Sequence, residues 1–191
     1  MGIVGGILAF VSLVVPWWTV SVDVHTAVGS VFMGQASVYL YQATAVATVA
    51  GSTNSEPVFM NLWFGWVALA LVVIGGWLGL AGSVTKRVQG RTLLALSGSL
   101  IIFSIIVFAA GLQYQITDGT WASGFPTGLG IGLFSSGSHQ FDIFGSSENY
   151  FSYLSFGFWL ALVAGVMMFM ALRRKSDGAT SLLPQSSPTP V

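Results

Sequence analysis

No cysteine occurs among the 191 residues. Disulfides, thiolate metal sites and cysteine nucleophiles are therefore excluded. Charge is nearly as scarce, with six Lys/Arg, six Asp/Glu and two His, so that 6% of residues are charged and 54% are hydrophobic. This composition, with a mean hydropathy of +0.81, cannot make a soluble surface and is that of an integral membrane protein. The net charge is zero and no basic cluster exceeds three residues, so nucleic acid is not a partner. No Asn-x-Ser/Thr acceptor, phosphate-binding glycine loop or nucleophile motif is present. The lack of cysteine and of glycosylation acceptors together favours a prokaryotic cell membrane.

The few charges are sorted. All six basic residues fall in two clusters, Lys86/Arg87/Arg91 and Arg173/Arg174/Lys175, each directly after a long apolar stretch. Five of the six acids, Asp23, Glu56, Asp118, Asp142 and Glu148, lie in two other polar segments that hold no Lys or Arg. Basic short loops stay on the cytoplasmic side. This places the 83–92 turn and the tail after 172 inside, and the two longer segments outside. Residues 1–15 are apolar, with no basic residue before them and no small-x-small cleavage site after. They read as a retained first span and not as a signal peptide.

A bilayer core about 30 Å thick needs roughly 20 apolar residues in a helix. Four stretches qualify, at about 2–20, 62–82, 93–112 and 153–172, and none carries an ionisable side chain. The expected fold is an all-α membrane protein: a four-helix transmembrane bundle, residues 1–172, with a small extracellular antiparallel β-sheet formed by the two outer loops, 21–61 and 113–152. Both termini are then cytoplasmic. Residues 173–191, rich in Ser, Thr and Pro, are expected as a disordered tail. Trp17, Trp18, Trp63, Trp66 and Trp159 mark an outer aromatic belt, while Lys86, Arg87, Arg91, Arg173, Arg174 and Lys175 anchor the inner face. Pro16 removes a hydrogen bond to the carbonyl of Ser12 and should end or bend the first helix near the outer surface.

In the first outer loop Val20, Val22 and Val24 alternate with Thr19, Ser21, Asp23 and His25, which is a strand signal. Residues 31–33 and 36–41 read as a second strand and 44–53 as a further one, with 51–57 as turn material. In the second loop only 130–134 and 140–144 look like strands. The starts of the second and fourth spans, Leu62-Trp63-Phe64-Gly65-Trp66 and Leu154-Ser155-Phe156-Gly157-Phe158, resemble one another, as two copies of one helical hairpin would.

Helices in lipid associate by close packing at small residues. Gly2 and Gly6, Gly75 and Gly79, and Gly157, Ala161 and Gly165 form such faces. They serve packing within the bundle or contact with another subunit. No cofactor is expected, because no span holds a His or an acid, and an enzyme is not expected either. One ligand set remains, outside the membrane: Asp23 and His25 in the first loop with His139 and Asp142 in the second, a combination suited to Zn²⁺ or Cu²⁺.

The layout, with Pro16-Trp17-Trp18-Thr19-Val20-Ser21 closing the first span, resembles the claudin-like tetraspan group. That resemblance implies a short inner N-terminus, a larger β-rich first outer loop, a smaller second one, an inner tail, and structural or adhesive work. The sequence departs from the group's Gly-Leu-Trp with a cysteine pair: Asn61-Leu62-Trp63 abuts the second span and cysteine is absent. The function expected is that of a non-catalytic accessory or structural subunit, or scaffold, partnered by the lipid bilayer and by other membrane subunits or copies of itself. The alternatives are a channel for small solutes lined by Ser12, Ser97, Ser99 and Ser104, and an outer-facing metal-binding subunit of a membrane enzyme complex.

Overall fold

The structure, a computed structural model, describes residues 1–26, 29–49, 52–58, 62–85, 87–117, 132–141 and 146–180. In chain order the elements are α1 (Gly2–Val11), β1 (Trp18–Thr26), β2 (Gly29–Val38), β3 (Ala43–Val49), β4 (Ser52–Val58), α2 (Trp63–Val84), α3 (Arg87–Thr117), β5 (Ser135–Phe141), β6 (Ser146–Leu154) and α4 (Phe156–Thr180).

The all-α expectation is overturned. Six strands form one fully antiparallel sheet in the order β4-β3-β2-β1-β6-β5, so the fold is mixed α and β and not a four-helix bundle with a minor appendage. Three helices, at Trp63–Val84, Val88–Thr117 and Phe156–Arg173, are long and apolar enough to cross a membrane. They identify a membrane protein. The fourth, α1, has 10 residues, about 15 Å at 1.5 Å per residue, or half of the hydrocarbon thickness.

Why α1 stops early is visible in its hydrogen bonds. Pro16 has no N–H to give to the Ser12 carbonyl, and the Trp17 indole Nε1 donates to that carbonyl instead, at 2.8 Å. The backbone tightens over the break, with Leu13 N donating to Phe10 O and Val14 N to Val11 O, and β1 then begins at Trp18. The expected span at 2–20 is therefore a short helix, a turn and the start of a strand.

α1 packs against α2 and α4, α3 packs against the same two, and α2 and α4 barely meet. Buried residues run continuously from Met168 and Leu94 up through Ile101, Phe108 and Trp17 to Val20 and Ala36 on the sheet. One core thus serves both layers. α3 extends past the expected 93–112 at both ends, and α4 continues through the basic cluster to Thr180, into the expected tail. Residues 181–191 lie outside the described ones. β4, expected as turn material, is a strand despite Pro57, because it is an edge strand and Pro57 need not donate to a neighbour on its free side.

Candidate functional site

The sheet meets the bundle at Trp17. Its backbone N donates to Val38 O of β2 at 2.8 Å, its carbonyl accepts from Ser155 N at 2.9 Å, and Gly157 N donates to Pro16 O at 2.9 Å. The ring lies edge-on to Phe108 of α3, with centroids 5.1 Å apart, and to Phe158 of α4 at 6.2 Å. Gly157 gives it room: a side chain there would collide with the indole and would stand 2.8 Å from Val15 O. A second contact of this kind joins α2 to the β2–β3 turn, where Gly65 lies against the Leu40 carbonyl and Leu40 is fully buried. The two glycines of the similar 62–66 and 154–158 stretches thus both admit a close approach by the outer layer. Their neighbours differ, since Phe64 is buried and Phe156 exposed.

A serine cluster fixes the β5–β6 hairpin at its foot. Ser152, almost fully buried, donates to Gly132 O at 2.8 Å, shares a hydroxyl contact with Ser135 at 2.8 Å, and accepts from Ser135 N at 3.1 Å. Glu148 is the one buried acid among the described residues, 6% exposed on β6 opposite Val24 and His139. Gln115, near the outer end of α3, is also buried, and its Oε1 has no hydrogen-bond partner among the described residues. The sequence reading singled out neither Ser152 nor Gln115. Alternation in Glu148, Tyr150, Ser152 and Leu154 was the available signal for β6, masked by two polar residues on the covered face.

The proposed ligand set divides by register. Asp23 pairs with Asn149 and His25 with Ser147, while His139 pairs with Glu148 and so shares a row with Val24. Adjacent rows face opposite sides of a sheet, which separates the row of His139 from those of Asp23 and His25. Asp142 lies outside the described residues. Among the described residues no group of three His, Asp or Glu is close enough to hold a metal ion.

The small-residue faces point inward. Gly2 lies against Ser83 and Leu94, Gly6 against Leu80, Gly75 against Ile101 and Ser97, Gly79 against Met168 and Ser97, and Gly165 against Ile102. Ala161 is fully buried. The buried serines are satisfied locally: Ser97 Oγ donates to Gly75 O across α2 and α3 at 2.6 Å, Ser104 to Ile101 O and Ser12 to Ala9 O, both at 2.7 Å. Ser99 is exposed on α3.

At the helix ends beside the sheet Trp63, Trp66, Tyr114 and Trp159 are exposed. Trp17 and Trp18 do not join them. Both are fully buried, because the chain turns into β1 there and carries them into the core between sheet and bundle. At the opposite end Arg91 is half-buried and Arg173 exposed. Arg87, Arg174 and Lys175 belong to α3 and α4, and Lys86 lies outside the described residues.

Helices that fit a bilayer, joined to a sheet at one end, define the chain as a membrane protein with a β-layer beside its helices. No protein-family model matches it, and no curated protein matches it either.

Proposed function

We propose that the chain is a non-catalytic integral membrane protein, an accessory or structural subunit of a membrane assembly, whose sheet is the part that meets partners. The observation that carries this reading is the closed interior. The candidate spans carry no Asp, Glu, His, Lys or Arg between Trp63 and Val84 or between Thr92 and Thr117, and proton relays and ion paths in membranes are built from such groups. Of the four serines offered as a solute path, three are buried with their hydroxyls bonded to backbone carbonyls. The glycines that permit close packing are taken up inside the bundle, leaving the sheet as the larger free surface.

Four crossings with both ends on the cytoplasmic side belong to the same proposal. Gly2 lies beside Ser83, at the far end of α2, while Trp17 lies beside Gly157, at the near end of α4. The chain therefore climbs the height of the bundle between residues 2 and 17. Ten helical residues supply about 15 Å, the tightened turn over Ser12, Leu13 and Val14 about 2 Å per residue, and Val15 and Pro16 up to about 3.3 Å each, for a climb of up to about 28 Å against a core of about 30 Å. The claudin-like resemblance is part of the proposal too, and rests on the layout of the chain and on Pro16-Trp17-Trp18-Thr19-Val20-Ser21.

The test is purification from native membranes in mild detergent, with crosslinking and blue-native gels. The reading expects a species heavier than the 20.1 kDa monomer, with itself or a second subunit. A monomer with no companion, or solute flux above the empty-vesicle rate in proteoliposomes, would refute it.

A further inference from the structure

The outward face of the sheet is uneven. Through the register, Ser21 shares a row with Gln35 and Phe151, and Thr19 shares one with Ser37 and Tyr153. On β1 and β2 this face carries Ser21, Gln35 and Ser37 together with Met33, 52% exposed, and Thr19 is buried, whereas on β6 it presents Phe151, 55% exposed, with its ring against Tyr153 at 5.4 Å. Phe134, just before β5, is 63% exposed, and Phe156, the first residue of α4, is 77% exposed. One turn further along α4 is Trp159, 48% exposed and part of the outer belt. Exposed aromatic side chains thus stand on both sides of the junction between β6 and α4, with Phe151 on the strand and Phe156 and Trp159 in the first turn of the helix.

Exposed aromatic surface of this extent on a soluble face would be a liability. In the interfacial layer it is favourable, because Trp and Tyr prefer the headgroup depth and Phe is carried on the apolar side of interfacial elements that dip just below it. The layer is about 5–8 Å thick on each side of the hydrocarbon. Phe156 opens α4 at the edge of that layer, and Tyr153 and Phe151 follow at most about 10 and 17 Å further along the strand, at about 3.3 Å per residue, so both rings enter the layer when β6 reclines toward the bilayer. No basic or acidic residue interrupts the stretch from Phe151 to Trp159. An anchor made of a second protein would need polar and charged groups at its rim, and here the patch adjoins the exposed Trp159 of α4 instead.

We propose that the β5–β6 foot, at Phe134, Phe151, Tyr153 and Phe156, is a lipid-contact surface immersed in the headgroup layer of the outer leaflet, holding the sheet reclined at that corner. The absence of cysteine allows a direct test on the full chain. Single nitroxide labels at Phe151→Cys, Ser136→Cys and Gln35→Cys would be measured in phosphatidylcholine liposomes by power saturation with oxygen and with a water-soluble nickel chelate. Ser136 is exposed and registers opposite Phe151, so it reports the same place with the patch intact if the Phe151 variant fails to fold. The oxygen-to-nickel accessibility ratio is expected to be several-fold higher at 136 and 151 than at 35. Equal ratios at all three would overturn the proposal, as would low access of both reagents at 136 and 151, which marks a protein-covered surface.

Discussion

Removing the Trp17 side chain should cost far more than removing an exposed tryptophan such as Trp63. The indole is fully buried, donates to Ser12 O at 2.8 Å and stands edge-on to Phe108 and Phe158. Truncating such a residue to alanine costs about 3–5 kcal/mol through lost contacts and the cavity left behind. Trp17→Phe separates the two contributions. It keeps most of the apolar ring but leaves the Ser12 carbonyl without its donor in an apolar setting, a loss of about 1–3 kcal/mol. Trp63→Ala is the control, since Trp63 is more than half exposed on α2 and surface substitutions usually stay within about 0.5 kcal/mol. Equilibrium unfolding in mixed SDS micelles, followed by far-ultraviolet circular dichroism so that the lost fluorophore does not matter, gives the three values. The order expected is Trp17→Ala, then Trp17→Phe, then Trp63→Ala close to the parent. If Trp17→Ala and Trp63→Ala lose equal stability, Trp17 is not the joint between sheet and bundle.

Ser97→Ala removes the interhelical bond to Gly75 O and should lower stability by about 0.6 kcal/mol, the usual size inside membranes, in the same unfolding assay. Gly79→Leu drives a side chain into Met168 and Ser97; an overpacking cost of about 1–3 kcal/mol is expected, read as a lower unfolding midpoint. Ser152→Ala deletes the hub that holds Ser135 and Gly132. Hydrogen exchange should then quicken in β5 while α2 and α3 keep their protection, and uniform quickening would contradict a local role.

Three helices were readable from composition, because uncharged apolar runs bounded by basic clusters have no other stable home than the bilayer. β1 was readable from strict alternation at Val20, Val22 and Val24, all within Trp18–Thr26. The first helix was not, because its apolar run continues smoothly into the strand: Trp17, Trp18, Val20 and Val22 are buried, yet only the first part of that run is helical. Pro16 gave the position of the disturbance, and the consequence fell one turn earlier, at the carbonyl it fails to bond. β4 and β6 were hidden by composition. The first is a polar edge strand containing Pro57, and the second faces its core side with Glu148 and Ser152. Of the candidate ligand residues, the sequence could name Asp23, His25 and His139 but not the register, and one residue of register decides which side of a sheet a residue faces.

The claim on which the account depends most is that the sheet and the α2–α3 turn lie on opposite sides of a bilayer. In intact cells, a membrane-impermeant thiol reagent should label single cysteines at Gln35 and Ser138 at once, and at Thr85 and Ile3, which is half exposed at the start of α1, only after permeabilisation. Labelling of Thr85 together with Gln35 in unbroken cells would contradict the orientation, and labelling of Ile3 from outside would remove the first crossing.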